Sequence, residues 1–214
     1  MRSIATCVIA FIFLCLLTYC KSNNEKPLAD GKVESVSEAK DVANKIEEAQ
    51  TESASRWEAR KAKGDTMAMA YKDLQNYLPE ISGYTRDGGP KGNQVNMPGM
   101  GSWSQSEQRY VNGEKNIDVD IADYNSAQQA FSGITAVYKM GYSSEDDTRK
   151  QSSADLGMKD VAAYETIYKD GSRAELSVIV ADRFFINIKS NGDNSADLVR
   201  SVAKNMKLGE LASK

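Results

Sequence analysis

The chain has 214 residues, 41% of them hydrophobic and 27% charged, enough apolar content for a folded globular part. Its net charge is −3, with Lys+Arg 27 against Asp+Glu 30, so it offers no basic footprint for nucleic acid and no polybasic patch for anionic lipid. It contains no histidine, which excludes a histidine-based triad, a histidine-ligated zinc site and a histidine pH switch.

Met1 and Arg2 open the chain with positive charge, and residues 4–19 (IATCVIAFIFLCLLTY) are uncharged and apolar before Lys21. That pattern is expected to be a secretory signal peptide over residues 1–19. The run is short for a spanning helix of ~20 residues, although a plain signal anchor is the competing reading. Leu17-Thr18-Tyr19-Cys20 resembles the lipobox of bacterial lipoproteins. The resemblance implies cleavage before Cys20 and attachment to its thiol of a diacylglycerol, with acyl chains such as palmitate. Leu17, Thr18 and Cys20 fit the pattern, whereas Tyr19 stands where Gly, Ala or Ser is usual. The three cysteines are Cys7, Cys15 and Cys20, so the mature chain keeps one, at its first position. A disulfide framework and a CxxC redox pair disappear with the leader. Under this reading the remainder lies outside the cytoplasm, in the cell envelope.

Residues 20–66 are expected to be a lipidated tether followed by a helical stalk. Residues 21–33 (KSNNEKPLADGKV) are polar and hold Pro27 and Gly31. Residues 34–63 lack Gly and Pro and are rich in Ala, Glu and Lys, which predicts a helix. Its stripe, Val36, Ala39, Val42, Ile46, Ala49, Ser53 and Trp57, is too thin for a strong coiled-coil seam. The spacing predicts a solvated spacer with Trp57 resting on the domain, with self-association of the helix as the alternative, and Gly64-Asp65 as the break.

Residues 67–214 read as one globular α+β domain. Met67, Ala70, Tyr71, Leu74, Tyr77 and Leu78 fall at helical spacing and Pro79 ends the helix. Residues 86–102 (RDGGPKGNQVNMPGMGS), with five glycines and two prolines, predict a long loop. Strands at 103–111 and 114–123 flank Asn112-Gly113, a strong hairpin signal. In the second strand Ile117, Val119 and Ile121 alternate with Asp118 and Asp120, so one face of the sheet is dry and the other wet. Ser126 and Gln129 predict a capped helix burying Ala127, Ala130, Phe131, Ile134, Val137 and Tyr138 and ending near Gly141. Residues 143–147 predict an acidic turn and 148–153 a strand. Strands at 161–168, 173–180 and 183–190 follow, joined at Asp170-Gly171 and Ala181-Asp182. Asn194 or Ser195 caps a last helix burying Leu198, Val199, Val202, Ala203 and Met206. The expected fold is an antiparallel sheet of about 5–7 strands packed with helices.

The stretches at 77–83 (YLPEISG), 140–143 (MGYS) and 183–188 (RFFINI) resemble a loosely defined set of bacterial envelope proteins. The element order over residues 67–214 is also similar to the fold of the photosystem II extrinsic subunit PsbP and its relatives. That resemblance implies a binding or assembly factor rather than a catalyst.

Gly88-Gly89-Pro90-Lys91-Gly92 lacks the spacing and the following helix of a phosphate loop. Asp118, Asp120 and Asp123, with Asp146 and Asp147, lack the loop geometry of a calcium site, and strand alternation explains the first two. A Cu(I) site on Met67, Met69, Met97 and Met100 would have to be methionine-only, and packing of Met67 in a helix and of Met97 and Met100 on the core is the expected role. No carboxylate pairing for glycoside hydrolysis can be read. The expectation is therefore a non-enzyme with no metal or cofactor. Loop 86–102, carrying Val95, Met97, Met100 and adjoining Trp103, is the expected binding surface, the competing reading being that Trp103 and the methionines seal one end of the core. Its expected occupant is another envelope protein, or alternatively a lipid or small apolar ligand held between sheet and helices.

Overall fold

Alternation of apolar and polar residues over five long segments builds a sheet with one dry face. The computed structural model describes residues 36–97, 101–125, 138–139 and 141–214. The expected signal peptide, Cys20, the tether, Met100 and most of the helix expected after Ser126 lie outside the described residues. In chain order, the helices that lie wholly within the described residues are α1 (Val36–Ala62), α2 (Tyr71–Leu74), α3 (Ala196–Lys204) and α4 (Leu208–Ala212). The strands are β1 (Thr85–Arg86), β2 (Lys91–Met97), β3 (Gly101–Asn112), β4 (Lys115–Asp123), β5 (Ser143–Glu145), β6 (Arg149–Ala154), β7 (Val161–Tyr168), β8 (Arg173–Val180) and β9 (Phe184–Asn191).

All nine strands join one antiparallel sheet in the order β1-β3-β4-β9-β8-β7-β6-β5, with β2 also paired to β3. The α+β class holds, and the sheet has more strands than the 5–7 expected. Two of the additional strands, β1 and β5, are only two and three residues long. β2 lies inside the segment read as a loop, because its seven residues ladder onto Gly101–Glu107. Pairing with an existing strand overrides a weak local propensity. Ser143–Glu145 likewise pairs with Lys150–Ser152 rather than standing wholly in a turn. Asp146 keeps the turn role: its carboxylate accepts from the Thr148 and Arg149 amides.

The inner face carries Tyr110, Ile117, Val119, Ile121, Leu176, Val178, Phe184, Ile186 and Ile188, all fully buried. Against it pack Leu74, Tyr77, Leu78 and Ile81 from one segment and Val199, Val202, Ala203, Met206, Leu208 and Leu211 from the C-terminal helices. The Ser195 hydroxyl caps α3 by accepting from the Leu198 amide at 3.2 Å. The helix expected from residue 67 is shorter than its spacing suggests. Met67 to Ala70 are not helical, because two of their amides bond away from a helix, Ala68 N to Ser102 Oγ at 2.6 Å and Met69 N to Asp123 Oδ2 at 2.7 Å. A 3₁₀ turn, Gln75–Tyr77, closes the segment. Where it crosses β2, only glycine fits: a Cβ on Gly92 would lie 2.6 Å from a ring carbon of Tyr71.

Candidate functional site

The face of the sheet turned away from the core is where unexplained chemistry gathers. Register sets it out in rows across the strands. One row runs Arg109, Asp118, Lys189, Glu175, alternating in sign over β3, β4, β9 and β8. Arg109 forks onto Asp118, Nε to Oδ1 at 2.7 Å and Nη2 to Oδ2 at 3.1 Å, and that carboxylate raises the guanidinium pKa. The next row runs Glu107, Asp120, Asn187, Ser177, Tyr164. Burial pushes the Asp120 carboxyl pKa up, a hydrogen bond from Gln105 Nε2 opposes this, and Glu107 and Asp118 add to it. Asp87, Lys91, Glu107, Asp118, Asp120 and Lys189 line a groove of about 600 Å³ over these rows. Further along, Tyr138 stacks on Tyr164 with ring centroids 5.1 Å apart and planes 9° apart.

At the β2 end of this face, Val95 stands directly opposite Trp103, and Met97 opposite Gly101. Val95, Met97 and Trp103 share the parity of Lys91, Glu107 and Arg109, so they lie on the same outward face. Val95 and Trp103 are half-buried and Met97 is exposed. Three of the four expected binding residues are thus brought together, on a paired hairpin instead of a free loop. Met100 and Cys20 lie outside the described residues.

α1 packs across the strand ends that hold Asn125, Asp160 and Asp182, and more of it packs than Trp57, the one contact that its sequence predicts. Ala49 and Ser53 are buried, and Arg60 is nearly so, along one row of the helix. Arg56 Nη2 reaches Asp160 Oδ1 at 2.7 Å and Glu52 Oε1 at 2.6 Å, and its Nε lies 3.3 Å from the fully buried Asp182 carboxylate. Lys139 ties Glu52 and Asp182 together at 2.9 and 3.2 Å. Side-chain hydrogen bonds from Lys139 and Arg56 hold the Glu52 pKa down at about 2. Arg60 Nε donates to Asn125 Oδ1 at 2.8 Å, and burial lowers the pKa of this guanidinium. Deeper in, Asp123 accepts from Arg183 Nε and Nη2, and Arg183 Nη1 reaches Asp65 at 2.7 Å. Asp160, Ala181 and Asp182 all have positive φ, between 52 and 59°. Two strained turns, one before β7 and one between β8 and β9, each present one carboxylate to Arg56. The legible signal was the spacing Ala49, Ser53, Arg56, Arg60, one face of the helix with two guanidiniums on it.

This junction is a clamp. Each of its carboxylates is engaged by a guanidinium, ammonium or amide group. Among the described residues no group of three or more His, Cys, Asp or Glu is placed to hold a metal, and no helix is long and apolar enough to cross a membrane. Compared with known proteins, the chain matches no family model and no curated protein sequence.

Proposed function

We propose that this chain is an extracytoplasmic lipoprotein, anchored through lipid on Cys20, whose domain is an interaction or assembly module for another envelope protein. The observation that carries the reading is the outward face of the β2–β3 hairpin. There Val95, Met97 and Trp103 form an apolar patch beside a charged groove, the combination of anchor and polar rim that protein partners use. A carrier of a lipid or small apolar ligand is supported less. The groove is lined mainly by charged side chains, and the space between sheet and helices is filled by buried Leu, Ile, Val and Phe. The reading assigns no catalysis and no cofactor.

The test replaces Trp103 by a photo-cross-linking amino acid in the full chain and irradiates the native envelope. A discrete protein adduct, lost when Met97 and Val95 are both changed to Ser, is the expected result. Adducts with lipid alone would favour the carrier. Anchoring is tested separately: a metabolic fatty-acid label should enter the wild type and be absent from Cys20→Ala. Equal labelling of the two would sink the lipoprotein reading.

A further inference from the structure

The two edges of the sheet are defended unequally. β5 is three residues long and is bordered by Asp146, Asp147, Arg149 and Lys150, the short and charged edge that discourages strand addition. The other edge is formed by β1 and β2, both on the same side of β3. β2 runs for seven residues, five of them exposed and two half-buried, and among the described residues no strand pairs with its far side. It contains no proline and one charge, Lys91. Its outward-turned N–H and C=O groups are a template for another strand.

The sequence KGNQVNM suits a second copy of itself in one register. Antiparallel pairing about a two-fold axis at Gln94 sets Lys91 opposite Met97, Gly92 opposite Asn96 and Asn93 opposite Val95. All seven residues pair, and no like charges meet. Shifting the axis to residue 91 would place the two lysines face to face, and shifting it to residue 93 or 95 would leave two residues unpaired. On one face the lone ammonium stem lies along a thioether and Val95 lies beside an amide. On the other face the two Gln94 amides meet at the axis.

We propose that this edge is a homodimer interface: β2 pairs with β2 of a second copy, antiparallel and centred on Gln94, so that two nine-stranded sheets become continuous. This contact uses the strand's edge atoms and stands apart from the outward-face reading. A monomeric chain would remove the pairing and leave that reading to its own cross-linking test.

The experiment is sedimentation of the full chain in a mild detergent, from micromolar to near-millimolar concentration at low salt. Wild type should pass from monomer to dimer. Met97→Lys, which sets a lysine against Lys91 of the second copy twice over, should weaken association about tenfold. Met97→Glu should strengthen it. Met97 is 42% exposed, so neither change should alter the thermal melt of the monomer, which is measured alongside. Gln94→Lys and Gln94→Glu should each be monomeric alone and associate when mixed. A wild type that stays monomeric overturns the proposal. So does a dimer indifferent to all four substitutions, which would place the contact elsewhere, including at the N-terminus.

Discussion

Asp123 ends β4 with its side chain fully buried, and only its neighbours make that tolerable. Its two oxygens accept from the Met69 and Asn125 amides and from both prongs of Arg183, at 2.7 to 3.1 Å. Asp123→Asn keeps the volume and removes the charge, leaving a buried guanidinium without its fork partner. Unfolding in denaturant should show a loss of about 3 kcal/mol or more. Tyr110 makes a second residue-scale case. Its hydroxyl donates to the Pro79 carbonyl at 2.6 Å, and burial pushes its pKa up to about 12 from 10.0. The raised value means that its stabilising contribution is complete below pH 10 and is lost as pH rises towards 12. Tyr110→Phe should cost about 1 kcal/mol at neutral pH and flatten the alkaline part of the stability profile. Neither role was legible from the sequence. Asp123 looked like one more carboxylate in the series Asp118, Asp120, Asp123, and nothing in the order of residues says that Arg183 faces it.

Elements were more legible than contacts. β7 and β8 occupy the expected ranges, and β4 and β9 begin one residue later than expected, because long strands with one buried face repeat every second residue. The failures share a cause. β2, β5 and the Met67 to Ala70 segment owe their conformation to pairing rather than to local propensity: β2 and β5 to the strands that follow them, β3 and β6, and the segment to Ser102 and Asp123, 34 and 54 residues away from the amides they accept from. α1 was read correctly as a helix and incompletely as a spacer. Its second half supplies Arg56 and Arg60 to a buried network, and its carboxylate partners would be stranded without it. A chain starting at Met67 should therefore be less stable than one starting at Val33 by about 3 kcal/mol or more in thermal or denaturant unfolding. Equal stability of the two would show that the clamp contributes nothing net. Acid should loosen the same element. The Glu52 pKa is depressed to about 2 from 4.5, so its contribution is present above pH 4.5 and lost as pH falls towards 2. Glu52 is half exposed, so the effect is local. Protease cleavage within Val36–Ala62 should rise over that window before the sheet unfolds.

At the scale of the molecule, the sheet divides its two faces between stability and contact. The inner face is filled by the helices that follow and precede it, whereas the outward face is open over the charged rows. The sequence carried the dry face plainly and the purpose of the wet face hardly at all, since Asp118 and Asp120 are required by strand alternation whether or not anything binds there. The groove's share in recognition can be separated from its share in stability by exchanging one ion pair. Arg109 and Asp118 are side by side on neighbouring strands, with Arg109 about half exposed. The double variant Arg109→Asp with Asp118→Arg keeps an opposite-charge pair on the same two strands while reversing the field it presents. Stability should stay within about 0.5 kcal/mol of wild type, because exposed pairs contribute little and the pair is retained. If the partner of the β2–β3 patch also reads the groove, cross-linking from Trp103 should fall several-fold and lose its dependence on salt, since a reversed rim charge acts first on encounter. Unchanged cross-linking with unchanged stability would confine the recognised surface to Val95, Met97 and Trp103, and the alternating row would then be only the cross-strand ladder that holds a wetted sheet face together.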